Sequence, residues 1–205
     1  MTTSAPMLGE PPPVELMNTI WADRSGVHDS LADAAGLAGW LEAAAVTDPV
    51  LARDPAALPA FRALRDALRV LAAEVTDDTR PSAIAAGRDV AAAAAVLNRC
   101  CAAAPAWSQL AWPLDGRPSR QVVTAAGLAE SVVARIAERG AELFGSDQCG
   151  GLRACWAPGC VLYFLREHPR RQWCSAECGN RARVARHYAR HHGSPATRTG
   201  PPPAR

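Results

Sequence analysis

The chain contains no lysine, so all 22 basic residues are arginine. With the alanine-rich stretches, this fits a GC-rich genome and carries no mechanism. Aromatic residues are scarce at 5%, whereas apolar residues reach 49% largely through alanine, which favours packed helices over sheet. No apolar run approaches the roughly 18 residues that a membrane-spanning helix needs. The first twenty residues, MTTSAPMLGEPPPVELMNTI, lack both the basic start and the apolar centre of a secretory signal. A cytoplasmic location without membrane contact is expected. Residues 1–150 also lack a glycine-rich phosphate loop, a nucleophile elbow and paired carboxylates at a strand end, so no enzyme is expected.

What is present in excess, for a reducing compartment, is cysteine. Seven occur, and clustered thiols there are better candidates for metal ligation than for disulfides. Cys100 and Cys101 lie in an alanine-rich helical stretch and read as inert, partly buried thiols. Cys149 precedes the remaining four and could stand in for one of them. Those four, Cys155, Cys160, Cys174 and Cys178, follow the spacing C-x4-C-x13-C-x3-C. Each close pair can supply two adjacent corners of a tetrahedron from one turn of backbone, and four soft thiolates select zinc, with iron as the other option. Pro158-Gly159 provides a tight turn inside the first pair. Cys174 and Cys178, four apart, can face one side at a helix start. His168, His187, His191 and His192 are spare ligands nearby. Val161, Leu162, Tyr163, Phe164 and Trp173 would form a small core around the metal, because so short a segment folds only with metal bound.

The net charge of +2 hides a division. Residues 151–205 hold 10 Arg against only Glu167 and Glu177, whereas the first 150 residues are net acidic. A basic lobe on an acidic body suits a protein of which one part meets a polyanion. After Cys178, Arg183, Arg186, His187 and Arg190 share one helical face, with Val184 and Tyr188 beside it, expected to pack on the metal lobe. Such a stripe can contact phosphates or enter a major groove of double-stranded DNA. Arg181 falls off that face and is also a candidate brace of the metal lobe.

Upstream, the periodicity predicts a mainly α protein: an N-terminal bundle of helices with a small hairpin, then a zinc lobe ending in a basic helix. Val14 to Trp21 begins or underlies a first helix, and His28-Asp29-Ser30 caps another over about 30–45. The clearest stripe is Leu58, Phe61, Leu64, Leu68, Leu71 and Val75, with Arg62, Arg65, Asp66 and Arg69 opposite. A third helix spans about 81–104, and a last one about 122–143. Trp107 to Trp112 followed by Asp115-Gly116-Arg117-Pro118 reads as a hairpin. Asn18-Thr19 and His28 read as structural polar contacts before they read as a pocket.

The string Arg171-Gln172-Trp173-Cys174-Ser175-Ala176-Glu177-Cys178-Gly179-Asn180-Arg181-Ala182-Arg183 closely resembles the CGNR zinc finger, whose name spells Cys178 to Arg181. Val14-Glu15-Leu16-Met17-Asn18-Thr19-Ile20 and Gly39-Trp40-Leu41 resemble the start of the ABATE helical domain. Residues 1–13, ending in Pro11-Pro12-Pro13, are expected as a flexible or extended leader and 194–205 as a disordered tail, and the resemblance implies an ABATE-like domain over 14–148 and a finger over 149–193. It also implies a stress-induced transcription regulator of actinobacterial type, its helical part sensing a small-molecule or protein effector. In it Cys155, Cys160, Cys174 and Cys178 would hold zinc, and Arg181, Arg183, Arg186, His187 and Arg190 would meet DNA. The competing expectation is a zinc-stabilised protein-interaction module. The sequence leaves the number of chains in the assembly open.

Overall fold

The computed structural model describes residues 5–44, 57–85 and 87–192. The expected tail over 194–205, the first four residues of the leader and position 45 at the end of an expected helix lie outside these ranges. Among the described residues the fold is mainly α, with seven helices and three two-stranded antiparallel hairpins.

Helix α1 (Pro12–Met17) opens on proline, whose missing N–H is no loss in a first turn. It is shorter than the apolar run suggested. The chain leaves it at Asn18 for a hairpin, β1 (Ile20–Asp23) and β2 (Gly26–Asp29), turned at Gly26 with φ +136°. Helix α2 (Ala34–Ala43) is capped by Asp33 Oδ1, which accepts from Gly36 N at 2.8 Å, and not by a residue at 28–30. Helix α3 (Ala57–Val75) follows. The single helix expected over 81–104 is two, α4 (Pro81–Ile84) and α5 (Val90–Ala102). Gly87 at φ +97° breaks the run, and Asp89 Oδ1 restarts it by capping Ala92 N.

The hairpin read around Trp107 is there: β3 (Ala106–Ala111) pairs with β4 (Ser119–Thr124), Gln109 opposite Gln121. It takes residues 122–124 from the last expected helix, so α6 runs Leu128–Gly145. A 3-10 turn (Asp147–Gly151) then leads into β5 (Leu152–Ala154), β6 (Tyr163–Leu165) and α7 (Ala176–His192).

Helix α3 forms the centre. Its Phe61, Leu64 and Leu68 are fully buried with Leu16 of α1, Leu97 of α5 and Val133 and Ala137 of α6. Gly140 lets α6 approach closely, since a Cβ there would meet Leu68 Cδ2 at 2.8 Å. Two arginines assigned to the solvent face of α3 are inside. Arg65 donates to Asp29 Oδ1 at 2.6 Å, and Arg69, 2% exposed, donates to the carbonyls of Met17 and Ser82. A guanidinium can be buried where carbonyls converge on its fixed fork of donors.

The C-terminal module shares this core. Along β6 the side chains alternate, as strand geometry requires. Tyr163 and Leu165 join Leu152 and Ala154 in the helical core, whereas Leu162 and Phe164 lie with the four cysteines in a second cluster. Trp21 of β1 and Ala5 and Leu8 of the leader complete that second cluster. Residues 5–11, expected as a flexible leader, are therefore tied down. Glu10 Oε2 accepts from Leu165 N at 2.9 Å, and Glu10 Oε1 pairs with Arg171 Nη2 at 2.5 Å. Asn18 exchanges two hydrogen bonds with the backbone of Tyr163, donating to its carbonyl at 3.0 Å and accepting from its N–H at 2.8 Å. The Asn18 amide thus occupies the place of a strand neighbour beside β6.

Candidate metal centre

Cys155 leaves β5 and donates its N–H to Leu162 O at 2.9 Å. The turn that follows closes through Cys160 N to Ala157 O at 2.9 Å, with Gly159 at φ +73°, a conformation in which a Cβ is strained. Cys174 lies just before α7 and Cys178 within its first turn, where Ser175 Oγ accepts from Cys178 N at 3.3 Å. All four cysteines are buried, and their Sγ atoms lie within 4.8 Å of one another. The Cys174–Cys178 and Cys160–Cys174 separations are 3.4 and 3.8 Å. A tetrahedron with Zn–S bonds of about 2.3 Å has edges of roughly 3.8 Å, so the donor set fits zinc in size as well as chemistry.

Three arginines hold the four ligand residues. Arg80 Nη1 donates to the carbonyls of Cys155 at 2.7 Å and Cys160 at 2.6 Å. Arg171 Nη2 donates to the carbonyl of Cys174 at 3.0 Å. Arg181 Nη2 donates directly to Cys178 Sγ at 2.9 Å. Hydrogen bonds from the neighbouring thiols, Cys155 first, and then the Arg181 charge hold the Cys178 thiol well below its usual range. Arg80 is itself fixed. Asp78 grips it through both carboxylate oxygens, and Tyr163 Oη donates to Asp78 Oδ2 at 2.8 Å. Burial raises the Asp78 pKa, but the hydrogen bonds and charge of Arg80 outweigh it and leave the carboxyl low. Burial first, and then its bond to Asp78, push the Tyr163 phenol well up, so it remains a donor.

Neither Arg80 nor Asp78 was singled out from the sequence, because both lie far from the cysteines along the chain. Their only local mark is Asp-x-Arg-Pro before a helix, which reads as a turn. Among the described residues no other group of metal-ligating side chains forms a comparable cluster. Cys149 sits in the 3-10 turn outside it, and Cys100 and Cys101 are half-buried on α5. His168 Nδ1 accepts from Arg170 N, and the rings of His187 and His191 meet tilted at 43° with centroids 4.3 Å apart.

The CGNR sequence has a physical reading here. Cys178 is the ligand. A Cβ on Gly179 would meet Trp173 Cδ1 at 3.2 Å, so glycine lets that ring close over the site. Asn180 Oδ1 accepts from Arg183 Nη1 at 2.7 Å, and Arg181 holds the thiolate. Along α7, Ala182 is buried and Ala185 and Ala189 are half-buried on the side of Cys178, while Arg183, Arg186, His187 and Arg190 are exposed. Val184 and Tyr188, expected to pack on the metal lobe, are 68% and 61% exposed. The alanine stripe takes the packing role instead.

Fold and site together define a zinc-binding protein in which a helical body carries a four-cysteine finger. The ABATE family model, described as "Putative stress-induced transcription regulator", matches residues 10–147, and the CGNR zinc finger model matches 152–191. The chain belongs to the ABATE family and carries a CGNR zinc finger. No curated protein matches it significantly.

Proposed function

We propose that this protein is a cytoplasmic, non-enzymatic transcription regulator that binds double-stranded DNA through α7, with the helical body receiving a small-molecule or protein effector. The observation that carries the reading is the exposed row Arg183, Arg186, His187 and Arg190 on a helix anchored at a ligand, Cys178. Zinc supplies rigidity, and a closed set of four thiolates leaves no position for a reacting water. The metal side of α7 is committed through Cys178 and Ala182, so its opposite face is free to meet phosphates and base edges. Arg181, engaged with Cys178 Sγ, serves the metal centre and is the least available of the arginines for DNA.

The exposed Val184 and Tyr188 favour a second reading, a zinc-stabilised module that docks an acidic protein partner. Selection from random duplex DNA with zinc-loaded protein separates the two. Enrichment of a defined sequence, bound at least tenfold more tightly than scrambled duplex, supports regulation through DNA. Equal weak binding to every duplex supports the docking module.

A further inference from the structure

The hairpin of β3 and β4 stands away from the helical body. Every residue from 106 to 122 except Ala111 is exposed, so both faces of this two-stranded ribbon meet solvent. Among the described residues no third strand joins it. A lone hairpin is marginal in water, and stable ones gain further strands or pack a face against something. This one also carries apolar bulk into solvent: Trp107, Leu110 and Trp112 are 53%, 63% and 72% exposed, and Leu114 is fully so. Together these four present on the order of 600 Å² per chain, against about 800 Å² that each partner contributes to a standard stable interface.

The two edges of the ribbon differ. Strand β3, Ala-Trp-Ser-Gln-Leu-Ala, contains neither a charge nor a proline, whereas β4 has Pro118 directly before it and Arg120 within it. Charges and prolines are the usual means by which an edge strand avoids pairing with another chain. An open edge on β3 beside a guarded edge on β4 allows one further pairing and then stops, as a closed dimer requires and a fibre does not. Residues 106–124 hold only Asp115, Arg117 and Arg120 as charges, and Arg120 Nε is engaged with Ser108 Oγ at 2.8 Å. The ribbon therefore offers no stripe of charge to a polyanion or an acidic protein, and a nearly neutral edge is best met by its own copy.

We propose that two copies of this chain pair β3 to β3 about a two-fold axis beside Gln109, giving one continuous four-stranded antiparallel sheet. A two-fold axis normal to the sheet keeps each face on its own side, so it passes opposite a residue. At Gln109 it sets the amide against its own copy, where each can both donate and accept. Gln121 lies opposite Gln109 within the hairpin, so four glutamines form a row across the sheet. The same register places Trp107 opposite the partner subunit's Ala111 and Trp112 opposite the partner subunit's Ala106, large beside small in both cases. Antiparallel order also carries each tip to the base of the other hairpin, which covers Leu114. This assembly stands apart from the reading of α7 and does not depend on it.

Sedimentation equilibrium of the full-length zinc-loaded protein, without DNA, tests the proposal. A dimer is expected with a Kd of about 10 µM or tighter. Gln109→Arg brings two like charges together at the axis and should raise that Kd at least tenfold, while zinc content and melting temperature hold because the side chain is exposed. Gln121→Arg puts the same charge on the outer strand and should leave the dimer intact. Gln109→Cys sets two thiols opposite one another and should cross-link in oxidised glutathione, whereas Gln121→Cys should not. Should Gln109→Arg fail to fold, the cysteine pair of variants still decides. A monomer at every concentration up to about 0.2 mM, a dimer that Gln109→Arg leaves unchanged, or cross-linking through position 121 in preference to 109 overturns the proposal.

Discussion

Arg181 donates a hydrogen bond to the Sγ of Cys178 at 2.9 Å, so the last letter of the CGNR sequence serves the first. A tetrathiolate zinc site is dianionic, and a guanidinium on one sulfur offsets part of that charge. Arg181→Ala is expected to weaken zinc binding by about 10–100-fold, the usual effect of losing a partner to a ligand. Arg181→Lys should fall between. Competition with a zinc chelator measures this, and unchanged affinity in the alanine variant contradicts the role.

Removal of the metal should be felt throughout the molecule. The segment looked in sequence like a lobe that could unfold alone, but Tyr163 and Leu165 stand in the helical core while Leu162 and Phe164 stand with the ligands. Chelation, or Cys155→Ser, is therefore expected to lower the melting temperature of the helical signal in circular dichroism, in one transition. An unchanged helical melt beside a separately unfolded finger contradicts the shared core.

The buried acids should act on stability with opposite signs. The Asp78 carboxyl is depressed below its ordinary 3.8, so its contribution is present above that pH and lost as the pH falls through the lower folded value. Burial raises Glu15 above its ordinary 4.5, more than its bonds from Glu10 N and Leu8 N lower it, and its Oε2 is unpartnered. Stability from Glu15 is full below pH 4.5 and declines as the pH rises through its folded value. Asp78→Asn leaves Arg80 buried without its counter-charge and should cost about 3–5 kcal/mol at pH 7. Glu15→Gln should stabilise the protein at pH 7 and flatten the decline. Chemical denaturation from pH 3 to 8 reads both effects, and a destabilised Glu15→Gln contradicts the second.

Replacing Arg183, Arg186 and Arg190 by alanine should leave zinc content and melting unaltered, because all three are exposed on α7. Affinity for duplex DNA should fall and its dependence on salt flatten, with each lost phosphate contact lowering the slope by about one. Titration of fluorescent duplex at several salt concentrations decides. Wild-type binding at every salt level removes α7 as the DNA contact.

The cysteine spacing made the metal centre legible, because ligand pairs are close in sequence and their chemistry is narrow. The stripe on α3 was legible for a similar local reason as far as Leu71, though Val75 at its end is 46% exposed, and so was the Trp107 hairpin. What escaped was held by long-range contacts. Arg80 lies 75 positions before the Cys155 carbonyl it binds, and Asn18, legible as a structural polar contact, has its partner 145 positions away at Tyr163. Periodicity also assigns every arginine to solvent, which failed at Arg65 and Arg69, where carboxylate and carbonyl partners converge inside the fold. Val184 and Tyr188 escaped for the converse reason: an apolar pair implies a packing surface, but the alanines beside it took that surface.

The paired hydrogen bonds between Asn18 and the Tyr163 backbone bear on how such chains change over time. A finger moved by recombination onto an unrelated carrier would leave the edge of β6 with an N–H and a carbonyl that no amide meets. A body deprived of its finger would expose the orphaned Asn18 and half of a hydrophobic wall. Inheritance of the two halves as one unit follows, with substitutions around position 18 and along 162–165 expected to drift in concert across descendants.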